Sequence, residues 1–192
     1  MTMYLTVLLC ILIGFYCLDV VVEWLNIRVL NTKIPAEFET VYDQHRYETS
    51  QLYLKDKTYF SLIQQTVMLI VTLTFILCGG FNMLDIIVRQ LGFSQLITGL
   101  LYIFSLAGLS MIISLPFSYY ATFVIEEKYG FNKSTRRLFF LDLFKSIVLV
   151  CVIGAPVLAA VLWFFDAFQS FGWVIVWGFL VVVQLILVYL AP

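Results

Sequence analysis

The sequence predicts an all-α protein that crosses a membrane five times. Its 192 residues are 62% hydrophobic and only 12% charged, whereas about a quarter of the residues of a typical soluble domain are charged. Long apolar runs alternate with shorter polar segments, and ten of the eleven basic residues lie in the first and third of these segments. Together these observations predict a polytopic membrane protein with an amphipathic juxtamembrane helix on its cytoplasmic side.

Five apolar runs are long enough to cross a bilayer, which takes about 20 residues of helix. We expect spans at about residues 4–22, 61–81, 96–116, 146–165 and 173–190. The first run does not begin like a signal peptide, because no Lys or Arg precedes Arg28 and a signal peptide starts with basic residues. The whole chain, residues 1–192, is therefore predicted to be one membrane domain.

The basic residues predict the orientation of the chain. The first and third polar segments carry five Lys or Arg each, and the second carries only Arg89. Because Lys and Arg collect on cytoplasmic loops, we expect the first and third segments to be cytoplasmic. The amino terminus then lies outside or in a lumen and the carboxyl terminus lies in the cytoplasm. A bacterial inner membrane and the endoplasmic reticulum both fit this pattern.

The first polar segment is too long for a tight turn. Pro35 is typical of a first helical turn, and one helical face is marked by Phe38, Val41, Tyr42, His45 and Leu52. We expect an amphipathic helix that runs on into the second span. This helix would lie in the membrane interface or dock against a catalytic domain, and the sequence leaves both open.

The third polar segment extends to Lys145, and its most distinctive stretch is PFSYYATFVIEEKYGFNKST at residues 116–135. Pro116 predicts a kink in the third span, and Gly130 predicts a left-handed helix end. The next helix needs a side-chain cap at its first turn. The candidates for that cap are Asn132, Ser134 and Thr135.

Other polar residues lie in or near the spans. Asp19 and Glu23 are one turn apart near the end of the first span. We expect them to be solvated or paired with a loop cation, and the alternative is a proton relay or a cation site. Asp85 and Arg89 have helical spacing and are expected to pair. Interhelical hydrogen bonds are expected from three glutamines, Gln64, Gln65 and Gln184.

No residue pattern in this chain predicts a catalytic, cofactor-binding or metal site. His45 is the single histidine, there is no HExxH or GxSxG motif, and the four cysteines form no CxxC pair. Zinc sites need several His or Cys ligands. The net charge of −1 gives no case for nucleic-acid binding, which requires a basic surface.

The third segment, taken as a whole string, resembles a known family. FVIEEKYGFNKST after Pro-x-x-Tyr-Tyr is similar to the N-terminal membrane domain of the CAAX prenyl protease 1 family, the Ste24-like M48 zinc metalloproteases. The first segment adds a weaker similarity through the spacing Tyr47-x-x-Ser50-Gln51-x-Tyr53-x-x-Asp56-Lys57-x-x-Phe60. The resemblance extends from about Pro35 to the end of the chain.

The resemblance implies a function for the complete family member. Such enzymes enclose an intramembrane chamber and cleave prenylated CaaX or other membrane-associated peptides. They hold zinc through HExxH and a further glutamate, and no position of this chain matches those ligands. Eight loop residues do match, and the resemblance implies that they are architectural or border the substrate path: Pro116, Tyr120, Glu126, Glu127, Gly130, Phe131, Asn132 and Thr135.

The implied partners are the lipid bilayer, an M48 peptidase domain on the same or a separate chain, and the peptide substrate of the full-length enzyme. The chain stops close to the end of the fifth predicted span, which is expected for a domain boundary or a truncation. The alternative is a stand-alone membrane interaction protein that lost the peptidase domain. A small transporter fits less well, because spans two to five contain no mid-span charges of the kind that transporter helices carry.

Overall fold

The structure is a computed structural model that describes residues 3–30, 34 and 43–190. Within these residues it contains α-helices and no strand, which confirms the all-α prediction. The helices are α1 Met3–Val29, α2 Gln44–Leu77, α3 Gly80–Gln90, α4 Gln95–Tyr120, α5 Arg136–Leu149, α6 Ala155–Phe168 and α7 Gly172–Leu190. Three short turns extend or connect them: π-helical Ala121–Glu126 and Val150–Gly154, and 3-10 Gln169–Phe171.

The described helices include five that are long and apolar enough to cross a membrane. Two of these spans combine an α-helix with a π-helical turn. The five are Met3–Val29, Gln44–Leu77, Gln95–Glu126, Arg136–Phe168 and Gly172–Tyr189. The predicted number of spans is confirmed, and the chain is a multi-pass integral membrane protein.

The start of α2 follows from a side-chain cap. Asp43 accepts a hydrogen bond from the backbone N–H of Arg46 at 2.9 Å, which satisfies one of the free donors of the first turn. The helix then runs without interruption into the second span, as the sequence predicts. The predicted start at Pro35 and the face residues Phe38, Val41 and Tyr42 lie outside the described residues.

The end of the second span differs from the expected residue 81. α2 ends at Leu77, and Gly79 adopts a left-handed backbone with φ of 70°. A side chain on Gly80 would overlap the ring of Phe75, which packs edge-on against Phe81 at 4.9 Å. The two glycines therefore turn the chain directly into α3.

The second polar segment is itself helical over much of its length. In α3 the Arg89 Nε lies 2.7 Å from the Asp85 carboxylate, which confirms the predicted pairing of these residues. Gln65 behaves differently from the prediction of an interhelical bond. It donates to Ser61, one turn earlier on the same helix, at 3.3 Å.

The chain divides into two compact units. The first contains residues 1–83 and 108–134, and the second contains residues 84–107 and 135–192. In the first unit α1 packs on α2, where Tyr16 and Thr66 share a hydrogen bond of 2.7 Å. In the second unit α6 packs on α7, where the rings of Phe164 and Phe179 lie 5.4 Å apart.

Small residues and proline shape the second unit. A Cβ on Gly99 would lie 3.0 Å from Leu162, so glycine permits the close approach of α4 to α6. The π-helical turn Val150–Gly154 stands immediately before Pro156. Proline has no N–H and clashes with the preceding turn of a regular helix, and the wider turn provides room for it.

Candidate functional site

The first and third polar segments meet in a cluster of aromatic and charged side chains. α2 contributes Tyr53, Asp56, Lys57 and Phe60, whose spacing places them on one helix face. The chain from the end of α4 onward contributes the partners. We call the following eight residues the interloop cluster: Tyr53, Asp56, Lys57, Phe60, Tyr120, Lys128, Tyr129 and Phe131.

A single carboxylate oxygen forms the polar centre of the interloop cluster. Asp56 Oδ2 accepts hydrogen bonds from Lys128 Nζ and from the hydroxyl of Tyr129, both at 2.6 Å. Hydrogen bonds to an ionised group are shorter and stronger than those between neutral groups. Asp56 therefore ties α2 to two consecutive residues of the third segment.

The Asp56 carboxylate stabilises the protonated forms of both donors, Lys128 and Tyr129. The hydrogen bond to Asp56 is the main cause that raises the pKa of Lys128, because it stabilises the ammonium form. The pKa of Tyr129 is also raised, first by partial burial and then by its donation to Asp56. Both residues hold their protons more firmly in the folded protein than in a free chain.

Aromatic contacts flank the polar centre on both sides. Tyr53 packs edge-on against Phe131 at 4.8 Å and against Tyr129 at 5.7 Å between ring centroids. Nearer the membrane, Phe60 stacks on Tyr120 at 4.8 Å. Each such aromatic pair contributes about 0.5–1.5 kcal/mol beyond the burial of its surface. The aromatic rings thus supply the packing that the exposed polar centre lacks.

Lys57 completes the face of α2. Its ammonium donates a hydrogen bond of 2.9 Å to the hydroxyl of Tyr53, one turn earlier on the same helix. The ammonium also lies 5.2 Å from the centroid of the Tyr53 ring, within the range of a cation–π contact. Lys57 thereby fixes the ring that contacts the third segment.

Gly130 ends the helix of the third segment in the predicted left-handed conformation, with φ of 73°. Its N–H donates to the carbonyl of Glu127 at 3.1 Å, and the N–H of Phe131 donates to the carbonyl of Glu126 at 2.9 Å. These two bonds form a Schellman motif, which satisfies the last carbonyls of a helix. The motif directs Phe131 back towards Tyr53.

The rest of the segment is held by its own side chains. The Asn132 amide donates to the Glu127 carboxylate at 2.8 Å, and its carbonyl oxygen accepts from the Ser134 N–H at 2.7 Å. Thr135 is the N-cap of α5, since its hydroxyl oxygen accepts from the Leu138 N–H at 3.2 Å. Of the three candidate caps, the structure selects Thr135.

The eight residues matched to the family occupy distinct places. Tyr120 and Phe131 belong to the interloop cluster, and the remaining six form helix and turn. Pro116 lies inside α4, Glu126 ends the π-helical turn, and the others build the helix end and the next cap: Glu127, Gly130, Asn132 and Thr135. That these eight residues are architectural or border the substrate path stays a prediction.

Sequence reasoning missed the centre of the interloop cluster. From the sequence, Asp56 is marked only by its spacing, and Lys128 and Tyr129 are not predicted to be site residues. A signal was present, because an acidic residue sits on the Tyr53–Phe60 face and a Lys-Tyr pair follows Glu127 in the third segment. Complementary charge on the two matched segments could have paired them.

The described residues do not form a site for a catalytic zinc ion. In the described part of the chain, no three His, Cys, Asp or Glu side chains are arranged to hold a metal. His45 lies exposed near the start of α2. The cysteines are free and exposed: Cys10, Cys17, Cys78 and Cys151.

Comparison with known proteins identifies the family to which these features correspond. Residues 23–192 match a family model described as CAAX prenyl protease N-terminal, five membrane helices. The probable CAAX prenyl protease 1 of Schizosaccharomyces pombe is 32% identical over 194 residues, covering 94% of this chain and 41% of that protein. CAAX prenyl protease 1 of Saccharomyces cerevisiae is 34% identical over 176 residues, covering 86% and 39%.

A solved structure has the same fold. The crystal structure of S. mikatae Ste24p superposes with a TM-score of 0.91 at 28% identity and covers 100% of this chain but 46% of that protein. The chain therefore spans less than half the length of the relatives it matches.

Proposed function

Because this chain belongs to the CAAX prenyl protease family and matches its N-terminal membrane region, we propose that it forms part of the wall of an intramembrane chamber. We also propose that it anchors a zinc peptidase domain. That domain, on the same or a separate chain, cleaves prenylated CaaX or other membrane-associated peptides. The family match over residues 23–192 is the observation that carries this proposal.

The division of labour follows from the chemistry of zinc proteases. Two histidines one helical turn apart hold the ion, and the intervening glutamate activates its bound water. This sequence has one histidine and no such motif. The proposed role of its residues is to place the peptidase domain at the membrane and to bound the space in which the peptide is held.

The structure supports a scaffold role through the way it is held together. The spanning helices satisfy their backbone hydrogen bonds internally, as a bilayer demands. Outside the apolar part of α2, the interloop cluster fastens the third segment to that helix through Asp56 and Tyr53. A fixed loop of this kind is a suitable support for a second domain.

We also propose that the interloop cluster lies on the cytoplasmic side. The two segments that form it carry ten of the eleven basic residues, and cytoplasmic loops are enriched in Lys and Arg. The peptidase domain would then face the compartment in which prenylated proteins are made.

The test compares this chain alone with a chimera. The chimera carries residues 1–192 in place of the matching N-terminal region of the Saccharomyces cerevisiae enzyme. With zinc and a prenylated CaaX peptide, we expect tripeptide release from the chimera and none from the chain alone. Zinc-dependent release by the chain alone, or no release by a chimera that is helical and monodisperse, would refute the proposal.

One observation distinguishes the proposed function from a stand-alone interaction protein. If the chain serves a peptidase, we expect the genomic sequence beyond codon 192 to encode an HExxH motif, either in frame or in an adjacent gene. A stop codon with no neighbouring peptidase gene would favour the interaction protein instead.

A further inference from the structure

A π-helical turn separates two sets of contacts that the third span makes with α2. Before the turn, Phe117 and Tyr120 pack on Phe60 at 6.0 and 4.8 Å. After the turn, Tyr129 contacts Tyr53 and Asp56. The turn itself, Ala121–Glu126, packs on α2. One helix thus touches α2 at both ends of an irregular segment.

Regular helix geometry would not allow both contacts. Tyr129 follows Phe117 by twelve residues, and at about 100° per residue a straight α-helix would place it about 120° away around the axis. Ile125, eight residues after Phe117, would already be turned by about 80°. Ile125 is nevertheless only 7% exposed, as expected for a residue on the contact face.

The π-helical turn accounts for this difference. A single-turn π bulge accommodates one extra residue within an α-helix. With one residue absorbed, the rotation from Phe117 to Tyr129 corresponds to eleven residues, which leaves an offset of only about 20°. Phe117, Ile125 and Tyr129 then share one face of the helix, in agreement with their contacts.

We propose that the π-helical turn Ala121–Glu126 sets the rotation of the helix so that both sets of contacts lie against α2. The hydrogen bond between Tyr129 and Asp56 depends on this rotation. The extra residue of the turn brings Tyr129 over Asp56 and Tyr53 while Phe117 and Tyr120 remain on Phe60. The proposal goes beyond the proposed function and does not depend on it.

If the turn sets this rotation, a deletion and an insertion at the same place should have opposite effects on the contact between Tyr129 and α2. Val124 is the natural site, because it is 44% exposed within the turn. Deleting it converts the turn to regular α-helix and keeps Tyr129 about 20° from Phe117. Inserting an alanine after it adds a second extra residue and rotates Tyr129 away from α2 by about 100°.

The experiment measures each contact separately by cysteine cross-linking. The four native cysteines are first replaced by serine in the full chain. One variant pair, Phe60→Cys with Tyr120→Cys, reports the contact before the turn. A second pair, Tyr53→Cys with Tyr129→Cys, reports the contact after it. A short bifunctional methanethiosulfonate reagent is applied to detergent-solubilised protein, and cross-linking is read from peptide maps.

We expect the Phe60–Tyr120 pair to cross-link in the parent, the deletion and the insertion. The Tyr53–Tyr129 pair should cross-link in the parent and the deletion and be lost in the insertion. Loss of that second pair in the deletion, or its retention in the insertion, overturns the proposal. If the insertion variant also loses the Phe60–Tyr120 cross-link, it has unfolded. The deletion variant then tests the proposal by itself: a retained Tyr53–Tyr129 cross-link supports it, and a lost one overturns it.

Discussion

Tyr129 donates its hydroxyl to the Asp56 carboxylate at 2.6 Å across a sequence separation of 73 residues. The same oxygen accepts a hydrogen bond from the Lys128 ammonium. One carboxylate therefore joins the first and third polar segments. Aromatic pairs pack on both sides of this exposed contact. The segments that carry the family resemblance are thereby one structural unit.

Removing the Tyr129 hydroxyl should weaken this unit without disturbing its packing. Tyr129→Phe keeps the ring contact with Tyr53 and loses one hydrogen bond, and we expect the free energy of unfolding to fall by about 1 kcal/mol. Denaturation in mixed detergent micelles, followed by circular dichroism, measures this. Tyr59→Phe is the matched control, because Tyr59 lies on α2 and is 49% exposed, and it should be neutral.

A double-mutant cycle tests whether Asp56 and Tyr129 act together. Asp56→Asn weakens the same hydrogen bond from the acceptor side, so the combined Asp56→Asn and Tyr129→Phe variant should lose less stability than the sum of the single variants. Residues in direct contact typically show coupling of about 0.5–3 kcal/mol. Strict additivity would show that the hydrogen bond does not contribute to stability.

The helix end at Gly130 requires glycine for a reason that a substitution can expose. An alanine with φ of 73° is strained, and Gly130→Ala should destabilise the protein by about 1–2 kcal/mol. Gly178, inside α7, has open space around it and no positive φ, so Gly178→Ala should be neutral or stabilising by up to about 1 kcal/mol. Equal effects of the two substitutions on thermal stability would contradict the Schellman geometry.

Because of the hydrogen bonds to Asp56, the stability of the folded protein should depend on pH in the alkaline range. Lys128 and Tyr129 have folded pKa values raised above their ordinary values of 10.5 and 10.0. A raised folded pKa contributes stability that is complete below the unfolded pKa and is lost as pH rises through the folded pKa. The melting temperature of the wild type should therefore exceed that of a Lys128→Met, Tyr129→Phe variant at pH 8, and the difference should shrink as the pH rises above these ordinary values. A constant difference over this range would be inconsistent with the cluster.

Features encoded locally were predictable from the sequence. The five spans follow from apolar length, and the left-handed end at Gly130 follows from a glycine between a helix and a polar turn. The end of α2 was placed too late, although Gly79 and Gly80 mark it, because Phe81 continues the apolar run.

The interloop cluster and the π-helical turn depend on information that a single sequence does not display. Asp56 and Tyr129 are far apart along the chain, and no periodicity links them. The turn at Ala121–Glu126 differs from regular helix by one residue within an aromatic and apolar stretch. Its presence follows only once both contacts with α2 are known.

Tripeptide release from a prenylated CaaX peptide by the chimera is the most direct measurement of what this chain does. We expect zinc-dependent release when residues 1–192 replace the N-terminal region of the Saccharomyces cerevisiae enzyme, and none from residues 1–192 alone. Zinc-dependent cleavage by the chain alone, or an inactive but correctly folded chimera, would contradict the proposed function.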